Sequence, residues 1–362
     1  MRSVPVYQKA TDATRRHDRT GGMGKNQAHS WPGSRPRAGP VARRLPFLAV
    51  VLLLLTGCQG PRAEPRTDLP AEPWAMVAEA GGLWVVLGDH TVARYDPATA
   101  RIDGASVRLP FTPGAMVGGH GDLWIGGQVD GRRRVTAEGS YPVIRVARVD
   151  PRRRAVTAVI ALPLRSNGNR LASTPSAVWV ADPAEGVLSR IWRVDPATNR
   201  PLGPPLRAGE EPLAIEAVDG AVWSANHDDG TLRRMDAATG ALQGTVDLGV
   251  EPHGMAIAHG AIWVADAHHH AVLRVDPGSG RTVARIPVSF EPGPLAATRS
   301  AVWVATPPDP DLAAGSLARI DPAGNRVTAT VSVDGQATAL AADGDRAWVA
   351  TIGPNAILRL PA

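Results

Sequence analysis

Seven short apolar runs of the type Ala-Val-Trp-Val-Ala punctuate the chain, separated by stretches rich in polar and turn-forming residues. Their tryptophans are Trp84, Trp124, Trp179, Trp223, Trp263, Trp303 and Trp348, at successive gaps of 40, 55, 44, 40, 40 and 45 residues. A second marker follows most of them. It is an arginine, one apolar residue, an aspartate and usually a proline, as in Arg94-Tyr95-Asp96-Pro97, Arg148-Val149-Asp150-Pro151 and Arg274-Val275-Asp276-Pro277. Runs that stay apolar without strict alternation predict strands covered on both faces. The regular unit beginning at Glu251 parses into an inner strand His253–Ala258, a second strand Ala261–Ala265, a third Val272–Asp276 and an outermost Thr282–Val288. The turn Asp276-Pro277-Gly278-Ser279-Gly280 joins the last two, with aspartate opening it, proline supplying φ near −65° and glycine free to take positive φ.

A period near 40 residues with four short strands per unit is the signature of a β-propeller. The expected fold is all-β, a seven-bladed β-propeller of four-stranded antiparallel blades over residues 73–362. The tryptophans are read as blade-to-blade packing; burying one removes on the order of 150–250 Å² from water, about 4–6 kcal/mol as an upper bound. Blade 2 carries the longest insertion, Gly126 to Tyr141, and blade 7 ends after its third strand near Leu360. Because an open sheet edge is a liability, Pro61–Leu69, the spare chain ahead of the first blade, is expected to close the ring.

The first 57 residues read as a leader. Arg43-Arg44 precede the apolar stretch Phe47–Leu55, nine residues that make about 14 Å of helix, too short for a hydrocarbon core of about 30 Å. That is the core of a signal peptide. It is followed by Leu55-Thr56-Gly57-Cys58, which resembles the bacterial lipobox, and Cys58 is the sole cysteine of the chain. Cys58 is therefore the expected lipidation site, placing the protein on the extracytoplasmic side of the cell membrane. Residues 1–40 lack periodicity and suggest a start placed too far upstream. Residues 58–72, rich in proline and charge, are expected to form the lipidated tether.

Charge changes the picture only by subtraction. The whole chain carries +5, but residues 1–57 hold ten Lys and Arg against two acids, which leaves −3 from Cys58 onward. No nucleic-acid partner is expected, since the mature part has no basic face beyond the local run Arg132-Arg133-Arg134.

In a propeller the loops entering the inner strands and those joining second to third strands open on one face, around the central channel, where functional residues collect. Those loops carry His227 and Asp228 on blade 4, then His253, Asp266, His268, His269 and His270 on blade 5. Asp182 of blade 3 occupies the position of Asp266. Histidines and carboxylates on one rim suit a ligand, a divalent metal or a general base. A histidine run in an exposed loop is more often simply solvated, so no firm metal site is assigned.

The units around Trp223 and Trp263 resemble the YVTN-type and NHL-like propeller repeats of bacterial extracytoplasmic proteins. Pro252-His253-Gly254, with Asp266 just after Trp263-Val264-Ala265, is also similar to the streptogramin (virginiamycin B) lyases. That resemblance implies a seven-bladed enzyme opening a cyclic depsipeptide by elimination with magnesium. His253 and Asp266 would be its catalytic residues, with aspartate where the family has glutamate. The family carries a histidine at the entry of two adjacent blades, whereas the neighbouring entries here are Leu213 and Gly293. The expected function is a non-catalytic binding module acting on a protein or small ligand at the channel face, with no cofactor. The lyase, with Mg²⁺ or another divalent cation, is the alternative.

Overall fold

The computed structural model describes residues 66–136, 139–165, 170–183, 189–309 and 312–361. Cys58, the leader and most of the tether lie outside the described residues. The architecture is a seven-bladed β-propeller of antiparallel blades, and no helix occurs among the described residues. Blade 5 shows the pattern, with strands Pro252–Ala258, Ala261–Asp266, Ala271–Val275 and Thr282–Pro287 paired in sequence order. Each differs by a single residue from the boundaries expected at one or both ends, or matches them. Innermost strands touch those of both neighbouring blades, and Pro73–Glu79 of blade 1 meets Gln336–Asp343 of blade 7, which completes the circle.

The core is divided among the blade interfaces. Seven apolar clusters lie one to each interface, and each of the seven tryptophans sits in the cluster shared with the following blade. Trp263, wholly buried, packs against Val302, Val304 and Ile320 of blade 6. The tryptophans are structural, as their spacing implied, because no indole face is left for a ligand.

The two sequence markers are cross-strand neighbours. Trp124 pairs in register with Arg148, Trp179 with Arg193, Trp223 with Arg234 and Trp263 with Arg274. The guanidinium lies over the indole, 5.4 Å from the ring centre for Arg274 on Trp263, within the range of a cation–π contact. Arg274 also donates from Nη1 to the Pro322 carbonyl at 2.8 Å and to Asn325 Oδ1 at 2.9 Å, both on blade 6. The aspartate of the marker organises the next turn. Asp276 Oδ1 accepts from the Ser279 backbone N–H at 2.7 Å and from its hydroxyl at 2.6 Å. These bonds to the ionised form hold the Asp276 carboxyl below its usual range.

Two expectations about irregular segments resolve cleanly. The blade 2 insertion is an extension of the hairpin itself, with Asp122–Thr136 pairing along Gly139–Asp150 past a bulge between Val129 and Arg133. Blade 7 is completed by the N-terminal strand Arg66–Asp68, antiparallel to Ala356–Arg359 with Thr67 opposite Ile357. Leu69 N–H adds a bond to the Asn355 carbonyl at 2.9 Å, and Thr67 Oγ1 donates to the Ala100 carbonyl at 2.6 Å. Part of the stretch read as a tether is thus the outer strand of the last blade.

Candidate functional site

Three innermost strands begin at one rim on the proline of a Glu-Pro pair, Glu72-Pro73, Glu211-Pro212 and Glu251-Pro252, and Glu291-Pro292 stands ahead of a fourth, which starts at Leu295. Proline fits here because the strand's first residue need not donate to the ladder. Opposite it stands the last residue of the second strand, as Pro212 stands to Asn226 and Pro252 to Asp266. Entry loops and second-to-third loops therefore share one edge, as expected.

The structure sorts the candidate residues of blades 4 and 5 into two groups. In the first, His227 follows the second strand of blade 4, and its backbone N–H is tied to the Glu211 carbonyl at 2.9 Å. Its imidazole Nδ1 lies 3.0 Å from Asp228 Oδ1 and 3.4 Å from Glu211 Oε2. Its Nε2 lies 3.0 Å from Nε2 of His253, and the rings meet edge to face at 4.7 Å. Glu251 Oε2 stands 3.9 Å from the same nitrogen. The neighbouring imidazole that the entry positions Leu213 and Gly293 fail to supply comes instead from the loop one strand further along.

Electrostatics split this pair. Hydrogen bonding to Glu211, supported by Asp228 and by the charge of Glu251, raises the His227 pKa to about 9 against the desolvation of its partly buried ring. Burial and then the positive His227 lower that of His253 to about 4. His227 is the cation and His253 the neutral partner near pH 7. The single shared proton then belongs to His227 Nε2, so His253 accepts at Nε2 and carries its own proton on Nδ1. That Nδ1 is buried and has no hydrogen-bond partner among the described residues.

The second group is organised by Asp266, which is fully buried. Its Oδ2 pairs with the Arg285 guanidinium at 2.8 Å, and its Oδ1 accepts from the His269 backbone N–H at 3.2 Å and lies 2.9 Å from His269 Nδ1. His268 and His270 are exposed in the same turn. The equivalent residues tie turns in the same manner: Asp182 accepts the Arg165 backbone N–H at 2.8 Å, Asn226 Nδ2 donates to Thr231 Oγ1 at 3.1 Å, and Thr351 Oγ1 donates to the Pro354 carbonyl at 2.9 Å. Asp266 and Asp182 thus stand where the fold requires a polar residue to close a loop. A carboxylate already neutralised by a guanidinium does not fit a divalent cation.

Sequence reasoning missed Glu211, Glu251 and Glu216. The first two carried a signal in the repeated Glu-Pro entries. The third is visible only once register is known. The residues facing the seven tryptophans on the innermost strands are Val77, Val117, Ala172, Glu216, Ala256, Ala296 and Ala341. One carboxylate interrupts an aliphatic ring. Glu216 is half-buried, and desolvation raises its pKa to about 7.

No protein family matches the sequence, and no curated protein does. Among solved structures, a chain of a structure described as the crystal structure of the mitotic checkpoint complex superposes with a TM-score of 0.65. The match covers 93% of this chain and 99% of that one at 13% identity. A likeness at that identity is one of fold, and it agrees with the propeller read from the repeat.

Proposed function

We propose that the protein is a membrane-anchored, extracytoplasmic propeller lipoprotein of the YVTN/NHL-like kind, binding a partner protein or small ligand at its channel face without catalysis. The propeller fold is compatible with a binding module. The observation that carries the reading is the meeting of His227, His253, Glu211 and Asp228 at the rim between blades 4 and 5. A buried imidazole N–H left without an acceptor beside them marks a place for a ligand's polar group. Lipidation at Cys58 would leave eight residue steps before the first propeller strand, at most about 29 Å of extended chain. The binding face would then work close to the bilayer. The test is capture from membranes with the lipidated protein, run against His253→Ala and Glu211→Gln. A partner held by the wild type and released by both variants supports the reading, and equal retention by all three rejects it.

One observation favours the lyase reading as a second. His227 supplies the adjacent imidazole that the resemblance calls for, and the two rings carry opposite pKa shifts, as a general acid and base would. Asp266 does not fit the cation role, so no step through magnesium is derived. Incubation with a streptogramin and magnesium decides: ring opening lost in His253→Ala makes the protein an enzyme, and an intact ring leaves the binding module.

A further inference from the structure

We infer that Glu211, His227 and Asp228 form a binding site for one divalent transition-metal ion at the rim between blades 4 and 5. The inference rests on reading that rim as the binding face, and it names what the rim holds. One nitrogen and two carboxylate oxygens come within 4.8 Å of one another here. Two ligands each about 2.1 Å from a common ion stand roughly 3.0 to 3.4 Å apart, depending on whether the geometry is octahedral or tetrahedral. The observed separations from His227 Nδ1 are 3.0 Å to Asp228 Oδ1 and 3.4 Å to Glu211 Oε2.

The backbone fixes this set in advance. His227 N–H is bonded to the Glu211 carbonyl, so the two ligand-bearing residues are held at a set distance across the entry to blade 4. Asp228 follows directly. The other imidazole nitrogen has a second-layer partner of the kind that metal-bound histidines use. His227 Nε2 lies 3.0 Å from His253 Nε2, a contact that keeps the Nε2 side of the ring occupied and turns Nδ1 toward the carboxylates. His253 itself faces the rim with a buried Nδ1 that no described residue satisfies.

Binding places a dication among Glu211, Asp228 and the nearby Glu251. Imidazole nitrogen with two carboxylates suits zinc or manganese in preference to calcium, which takes oxygen alone. Three protein ligands leave coordination positions open toward the channel mouth. A partner's carboxylate or carbonyl could enter there.

The experiment is titration calorimetry of the full-length protein in detergent with Zn²⁺, Mn²⁺ and Ca²⁺. It is repeated on Glu211→Gln, Asp228→Asn, His253→Phe and the triple variant His268→Ala/His269→Ala/His270→Ala, with folding of each verified by its melting curve. One Zn²⁺ or Mn²⁺ per chain is expected. Affinity should be lost in Glu211→Gln and Asp228→Asn and kept in the triple variant. His253→Phe should weaken it roughly 10- to 100-fold while leaving the stoichiometry at one. Loss in the triple variant alone would move the ion to the histidine run, and absence of saturable binding would remove it altogether; either overturns the inference. Absence of saturable binding in a protein that still captures a His253-dependent partner would overturn the ion and leave the binding module standing.

Discussion

His227 and His253 meet Nε2 to Nε2 at 3.0 Å, although they occupy non-equivalent positions on adjacent blades. One enters from the loop after a second strand, the other from the start of an innermost strand. Only one proton can lie between them, and the carboxylates of Glu211 and Asp228 on the far side of His227 decide which ring owns it.

That arrangement predicts two histidines that do not titrate in the usual range. With its pKa raised to about 9, His227 contributes stability that is fully present below pH 6.5 and lost as pH rises through 9. With its pKa lowered to about 4, His253 costs stability as pH falls from 6.5 toward 4, because the unfolded chain takes a proton that the folded ring refuses. In metal-free protein the ¹⁵N spectrum of the imidazoles should show one cationic and one neutral ring, both unchanged between pH 5 and 8. Assigned His227 resonances that titrate near 6.5 would mean the carboxylates do not hold its charge.

Glu216 predicts a slope of the same sign as that of His227, at lower pH. Its carboxyl ionises near 4.5 in the unfolded chain and at about 7 in the fold. Between these values the native state keeps a proton that the unfolded state has lost, so stability falls as pH rises through the window and then levels off. The full loss is up to about 3 kcal/mol. Glu216→Gln should be the more stable protein at pH 8 and close to wild type at pH 4.5. Urea denaturation of the pair at both values isolates the effect, since every other titrating group cancels in the difference. A constant difference across pH would show that Glu216 is solvated like a surface acid.

Much of the fold was legible because its determinants repeat. Trp263 and Arg274 recur as a pair in blade after blade, so spacing alone revealed the sheet number, and Asp276 with its turn marked where each third strand ends. The rim was legible only in part. His227 and His253 could be placed on one face, but their contact depends on a loop of blade 4 bending toward the entry of blade 5, which no periodicity encodes. Asp266 looked like a site residue because aspartate after Trp-Val-Ala is chemically suggestive; its bond to Arg285, from the outermost strand, becomes visible only when four strands are laid side by side. Glu216 was hidden for the same reason. A single glutamate in Ile215-Glu216-Ala217 is unremarked until its six counterparts are known to be alanine or valine.

The N-terminal strand predicts a stability effect out of proportion to its length. Arg66–Asp68 supplies the outer edge of blade 7, and its removal would bare the Ala356–Arg359 edge and cut the link between chain ends. A protein beginning at Ala71 should melt several degrees below one beginning at Gln59 and should associate through the freed edge. Differential scanning calorimetry and sedimentation measure both. Equal melting temperatures with both proteins monomeric would show that three strands suffice for that blade.

Arg274 offers the sharpest test of how the blades are joined. It stacks on Trp263 and donates to the Pro322 carbonyl and Asn325 Oδ1 of the next blade. Arg319, the equivalent residue one blade on, donates to Thr328 Oγ1 within its own blade at 3.2 Å. Truncating Arg274 removes a cation–π contact and two charged hydrogen bonds and leaves a carbonyl with one acceptor site unfilled, a loss of about 2–4 kcal/mol. Arg319→Ala should cost less than about 1 kcal/mol, as expected of a bond in an exposed strand pair. Lysine at position 274 should rescue little, because a single ammonium cannot stack flat on the indole and reach both oxygens. Combining Arg274→Ala with Asn325→Ala completes a double-mutant cycle, and a coupling of about 1 kcal/mol locates the bond across the blade boundary. If the two arginines prove equal, neither the indole stack nor the contacts to blade 6 add stability at position 274.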